Sequence, residues 1–215
     1  LRRRQDRDPQ ADAMKLTAPL YMLRHGETAW NTERRMQGTR NSDLTERGRS
    51  QALAMGRTLR AELAREPGPT IFLRSPLGRA RETSEIVGRE LGLVSADWRD
   101  DSRLAELAYG EWEGFSWKEI EVTHPTALAD WRADPHGYCP PGGETHYALR
   151  QRSLAVLTEI AASGIRTVVV GHGVSGAVVR GLNLGLDARA MFVLEKPQDA
   201  FFRLLAGSEE RISCD

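Results

Sequence analysis

Four short apolar runs constrain this chain more than anything else in it. They lie at 20–23 (LYML), 70–74 (TIFLR), 167–171 (TVVVG) and 200–205 (AFFRLL). Each is dominated by aliphatic, β-branched or aromatic residues and bounded by turn formers, which is how strands read. A weaker strand is expected over 94–98. Helical patterns fill the gaps. TERGRSQALAMGRTLRAELA sets Leu53, Leu59 and Leu63 on roughly one face behind Thr45, a good cap. LGRARETSEIVGREL follows Ser75-Pro76, with the proline suited to a first turn. ETHYALRQRSLAVLTEIAAS runs into Gly164, a natural stop, and VSGAVVRGLNLGL follows Gly173. Strands alternating with helices imply βαβ units. The expected fold is therefore α/β, a mainly parallel sheet with helices on both faces.

The stretch 98–143 breaks the rhythm. It is rich in Trp, Gly, Pro and acids, with short helical pieces near 117–122 and 125–131. It reads as a lid inserted over the sheet, where a substrate pocket is often completed. The rest, 14–215, reads as one domain. Residues 1–13 (LRRRQDRDPQADA) are charged, lack an apolar signal core and read as a disordered upstream tail, with Met14 as a natural start. No apolar run approaches the ~20 residues of a membrane helix. With 30 basic and 30 acidic residues the net charge is zero, so no overall field favours nucleic acid or an anionic membrane. Cys139 and Cys214 match no metal or redox spacing, and two free thiols in a reducing cytosol are expected. The oligomeric state is not legible, and a homodimer stays open.

Ligands of open α/β sheets gather beyond the C-terminal ends of the strands. The first strand is followed by Arg24-His25-Gly26. The second is followed by RSPLGRARET, with Arg79 between Arg74 and Arg81. The strand at 167–171 is followed by His172-Gly173, which opens a helix. RLAELAYGEWEG brings Glu106 at the entrance to the irregular stretch. One rim thus collects two histidines, at least two arginines and a carboxylate. Arginine binds phosphate oxygens in bidentate fashion, and a helix start adds backbone N–H donors. A neutral imidazole, favoured by neighbouring positive charge, can attack phosphorus, and a protonated carboxyl can release a leaving alcohol. Two histidines and a carboxylate could also ligate a metal, but adjacent guanidinium groups repel a cation, and no metal or other cofactor is expected. His124, His136 and His146 match no motif and receive no role.

LRHGETAWN, SPLGRARET, ELAYGEWEG, PGGET and GHG, in that order, resemble the histidine phosphatase superfamily, the phosphoglycerate-mutase-like clan. The resemblance implies a three-layer α/β/α sandwich. It implies that His25 is the nucleophile that becomes phosphorylated. Arg24, Arg79 and His172 would hold the phosphoryl group, with Asn31 and the N–H of Gly173 adding hydrogen bonds. Gln37 and Gly38 match a position lining the pocket. Glu106 would be the general acid, then the base that activates water. The chemistry of the family needs no metal.

The family holds mutases and phosphatases. Cofactor-dependent mutases resemble one another in an Arg after the acid Glu and a Lys beyond the Tyr-Gly. Here Leu107 and Trp117 stand at those places. Losing both cations weakens the grip on a small, highly charged acid, and a Trp-rich lid suits a larger or less charged body. A cytoplasmic small-molecule phosphatase passing a phosphoryl group from His25 to water is therefore expected, acting on a small phosphorylated metabolite. A phosphoglycerate mutase is the first alternative. A non-catalytic or protein-directed phosphate-binding module is the second. After Gln37-Gly38 many relatives carry Asp and then Pro. Asn41 and Asp43 stand there in this chain, which is expected to alter loop geometry rather than the phosphohistidine step.

Overall fold

A computed structural model describes residues 15–214. The expected N-terminal tail, 1–13, lies outside the described residues. The chain runs β1 (Leu20–Arg24), α1 (Ala29–Thr32), α2 (Glu46–Arg65), β2 (Thr70–Arg74), α3 (Gly78–Leu91), β3 (Arg99–Asp100), α4 (Trp117–Thr123), α5 (Pro125–Ala133), α6 (His146–Ser163), β4 (Arg166–Gly171), α7 (Gly173–Asn183), α8 (Ala188–Val193), β5 (Ala200–Leu205) and β6 (Ser208–Ser213). The sheet order is β3-β2-β4-β1-β5-β6. β1 to β4 are mutually parallel, and β5 and β6 close one edge as an antiparallel hairpin.

The pleat of β1 shows why three layers form. Successive side chains of a strand point to opposite faces. Leu20 and Met22 pack into one core, with Leu149, Val156 and Leu157 of α6 and Val178 and Leu182 of α7. Tyr21 and Leu23 pack into the other, with Ala52, Met55 and Leu59 of α2 and Ala80 and Val87 of α3. A strand covered on both faces favours an apolar run, as LYML and the three valines 168–170 are. A third, smaller core of Trp112, Ile120 and Leu128 lies within residues 98–143, with Met36 packed against it. Trp98 does not join it; its ring is buried edge-on against Phe72 in the second sheet core.

Two local expectations are corrected. The strand expected over 94–98 is a 3₁₀ turn at Ser95–Asp97, because the Asp97 carboxylate turns back to accept the Val94 N–H at 2.7 Å. The strand forms after it, at Arg99–Asp100. Pro76 does not occupy the first turn of α3. That helix starts at Gly78 behind Leu77, and its open N–H at Arg79 is taken by Asn41 Oδ1 at 2.8 Å. Asn41 thus ties the loop after Gln37-Gly38 to the start of α3.

Candidate active site

β1 and β4 lie side by side, with Arg24 opposite Gly171 in register. The residues that leave their C-terminal ends therefore meet. His25 and His172 come within 5.3 Å, ring centre to ring centre, at 61°. Both are buried. Arg79, 1 % exposed, reaches them from the first turn of α3. Backbone crowding fixes this corner. A Cβ on Gly26 would sit 2.2 Å from the carbonyl oxygen of Gly48, so only glycine lets the loop after His25 pass beneath α2.

The tautomer of His25 follows from its neighbours. Its Nδ1 lies 2.7 Å from the Gly26 carbonyl oxygen, which can only accept, so Nδ1 carries the proton. Nε2 keeps its lone pair and accepts from Arg79 Nε at 3.2 Å. Burial holds the imidazole well below its ordinary pKa of 6.5, helped by the charges of Arg24 and then Arg79. His172 is likewise held well below it, by burial first and then Arg79, His25 and Arg24. Both rings are neutral at pH 7. His172 Nε2 pairs with Ser75 Oγ at 2.7 Å, and its buried Nδ1 has no partner among the described residues.

The cations are oriented by backbone rather than by acids. Arg79 donates to the carbonyls of Arg40 and Gly38, both at 2.7 Å. Burial lowers its pKa to about 10. Gly38 needs its positive φ of +54°, and a Cβ there would strike the Glu113 carboxylate. That carboxylate, 3 % exposed, accepts from the N–H groups of Thr39 (2.8 Å), Arg40 (3.0 Å) and Tyr109 (3.0 Å). Glu113 therefore shapes the loop that aims Arg79. Arg24 donates to the Lys196 carbonyl, and its buried Nε has no partner among the described residues. Two buried donor-capable nitrogens, Arg24 Nε and His172 Nδ1, are thus left for an anion.

Glu106 faces the start of α7. Its carboxylate accepts from Leu107 N, Val174 N and Ser175 N, each at 2.9 Å. The last two are N–H groups that a helix leaves open. The N–H of Gly173, one residue earlier, has no such tie to Glu106 and belongs to the rim with Arg24, whose Nε lies 3.4 Å from the space a Cβ at Gly173 would fill.

The structure brings His25, Arg24, Arg79, His172 and Gly173 together, with Glu106 alongside. Gln37 and Asn31 are both tied to Thr28. Gln37 donates to Thr28 Oγ1 at 2.7 Å, and Asn31 Oδ1 accepts from Thr28 N and Gln198 Nε2, both at 3.1 Å. Arg74 and Arg81 do not reach the site. Both pair with Asp100, and Arg74 is buried rather than solvated. Sequence reading missed Glu113, Lys196 and Gln198, which donates to the His25 carbonyl at 3.1 Å. No local pattern marks the latter two, since they come from the far side of α8. Among the described residues no group of three or more His, Cys, Asp or Glu is placed to hold a metal ion. None of the described helices is long and apolar enough to cross a membrane.

A row of rings leads away from this rim. Lys196 Nζ lies 5.7 Å from the centre of Phe192. Phe192 lies 5.2 Å from His146, 6.0 Å from His136 and 6.5 Å from Trp131, and Trp131 lies 4.9 Å from Trp117. His146, which matches no motif, is pushed down to about 4, by burial first and then by His136.

Comparison with known proteins agrees with this geometry. The model of the histidine phosphatase superfamily (branch 1) matches residues 20–210. A glucosyl-3-phosphoglycerate phosphatase of Mycobacterium tuberculosis is 38 % identical over 144 residues, 67 % of this chain and 60 % of that protein, so the match spans three-fifths of the relative's length. A probable phosphoglycerate mutase of Salmonella paratyphi C is 37 % identical over 176 residues, 80 % of this chain and 77 % of the relative. A solved structure of mycobacterial glucosyl-3-phosphoglycerate phosphatase with VO3 superposes with a TM-score of 0.75 at 30 % identity, covering 92 % of this chain and 100 % of that one.

Proposed function

The chain belongs to the histidine phosphatase superfamily (branch 1), and on that premise we propose that it hydrolyses phosphomonoesters of small molecules through a phosphohistidine on His25. The observation that carries this reading is the state of His25. It is neutral, its tautomer is set by Gly26, and its Nε2 lone pair faces Arg79, one of the cations that would receive a phosphate. The phosphate enters between Arg24, Arg79, His172 and the N–H of Gly173. Arg79 turns its Nε–H from His25 to a phosphate oxygen. His25 Nε2 attacks phosphorus as the P–O bond to the alcohol breaks, and Glu106 gives the leaving oxygen its proton. Glu106 then takes a proton from water, the hydroxide attacks the phosphohistidine, and phosphate and free His25 result. Charge neutralisation by fixed guanidinium groups supplies most of what phosphoryl transfer asks of a protein. Asn31 would add a hydrogen bond to the phosphoryl group, and Gln37 and Gly38 would line the pocket.

The alcohol body would lie along the rings from Phe192 to Trp117. That reading favours a substrate whose body is a ring or another weakly charged group. The mutase reading draws on the Salmonella relative. A mutase must also grip a second anion, and the positions at issue hold Leu107, buried in a core, and Trp117, part of the ring row. Assay of phosphate release in chelator, with wild type beside His25→Ala and 3-phosphoglycerate followed for its isomer, tests the proposal. Release that persists in chelator and vanishes in the variant supports it. Isomer formation without release would replace it with the mutase reading.

A further inference from the structure

The motif PGGET, at 141–145, has no part in the phosphoryl chemistry, yet it is bound to the loop that carries Glu106. The N–H of Glu111 donates to the Pro141 carbonyl and that of Glu144 to the Ala108 carbonyl, both at 2.9 Å. The contact is too close for side chains. A Cβ on Gly110 would lie 2.0 Å from the Pro141 oxygen, and one on Gly143 would lie 2.8 Å from the Ala108 oxygen.

From this motif Glu144 grips Arg152 of α6. Arg152 Nε donates to Glu144 Oε1 at 2.8 Å and Nη2 to Oε2 at 2.9 Å, a two-pronged pair. The rest of the guanidinium turns to the acid loop. Nη1 donates to the carbonyls of Arg103 and Ala105, both at 2.7 Å, and Nη2 donates to the carbonyl of Glu106 itself at 3.0 Å. All five N–H donors of Arg152 are thus engaged, three of them on backbone within four residues. Glu106 is held at both ends, its carboxylate by the start of α7 and its backbone by Arg152.

We infer that Glu144 and Arg152 are positioning residues for the proton-transfer step, fixing the backbone from which Glu106 reaches the leaving oxygen. This rests on the reading of Glu106 as the general acid. Proton transfer tolerates little misplacement, so a loosened loop costs rate without touching the phosphate-binding rim. Lysine at 152 has neither the fork nor the donor count to replace arginine.

The test measures kcat/KM for wild type, Arg152→Gln, Arg152→Lys, Glu144→Gln and Glu106→Gln, on phosphate esters from dinitrophenyl to alkyl. This constant reports the step in which the alcohol leaves. Inhibition by inorganic phosphate reads the rim separately. Arg152→Gln and Arg152→Lys are expected to lose about 30-fold on the alkyl ester, and less than about 3-fold on the dinitrophenyl ester or in phosphate inhibition, a fraction of the ~100-fold full effect of an acid. Glu144→Gln keeps the three loop carbonyls and is expected to lose about 5-fold with the same selectivity. It carries the test if the Arg152 variants do not fold. A loss equal across all esters, a matching loss of phosphate inhibition, or no loss would overturn the inference while Glu106→Gln remains selective. If Glu106→Gln is itself unselective, the acid assignment fails and takes the inference with it.

Discussion

The charged rim around His25 and the row of rings from Phe192 to Trp117 hold their side chains in different ways. At the rim His25, Arg79 and Glu106 are buried and tied to backbone: His25 to Gly26, Arg79 to Gly38 and Arg40, Glu106 to the first turn of α7. In the row the rings hold one another, edge to face and tilted, and Trp117 is 40 % exposed. Backbone ties fix position to a fraction of an ångström, as a reacting site needs. Ring contacts give area and shape with looser geometry. The proposed division of labour follows. The rim sets the reaction, and the rings set which alcohol is accepted.

The largest effect would fall on the rim. His25→Ala is expected to lower turnover by at least about 1,000-fold on every ester, because no other group supplies the attacking lone pair. Substantial activity in a variant with a native circular dichroism spectrum would remove His25 from that role. Next comes Glu106→Gln, with about 100-fold loss on alkyl phosphates and a small loss on activated aryl esters. Equal losses on both would undo the acid assignment. The ring row should behave otherwise. Phe192→Ala is expected to cost about 10-fold in kcat/KM on ring-bearing phosphomonoesters, about 1.4 kcal/mol of contact, and almost nothing on glycerol phosphate. A uniform loss would erase the distinction between the two regions.

A further effect, on stability rather than on rate, is shared between them. His25, His172 and His146 are all held below the free value of 6.5. As pH falls, the unfolded chain binds protons before the folded one does. Stability is thus full above about pH 6.5 and declines on acidification, by up to about 1.4 kcal/mol per pH unit for each histidine. For His146 the decline ends near its folded value of about 4. Urea midpoints at pH 7 and pH 5 measure this, and equal midpoints would contradict the burial of these rings as neutral groups.

The same contrast explains what was legible in the sequence. Arg24-His25-Gly26 and His172-Gly173 follow apolar strands directly, so the order of residues alone places them at the strand ends. The helices announced themselves through Thr45 and Gly164, which cap as expected. β6 was missed because SEERIS is a polar edge strand, with no buried face to enforce an apolar pattern. The strand expected over 94–98 failed to a single side chain, Asp97, closing a turn on Val94. Glu113, Arg152, Lys196 and Phe192 act on partners far away in the chain, and spacing carries no trace of such contacts. PGGET could be seen as a motif, but its partner could not.

The hydrogen bond between Arg79 Nε and His25 Nε2 has a consequence for discrimination. The lone pair proposed to attack phosphorus already accepts a hydrogen bond from the group proposed to bind the phosphate. Any ligand must first exchange that bond for one of its own. The free energy of the exchange is the same whatever alcohol the phosphate carries. It therefore cancels from the ratio of kcat/KM between two esters. The self-paired pocket scales all kcat/KM values together and leaves no signature on preference, so selection between metabolites has to be written in residues that never meet phosphorus.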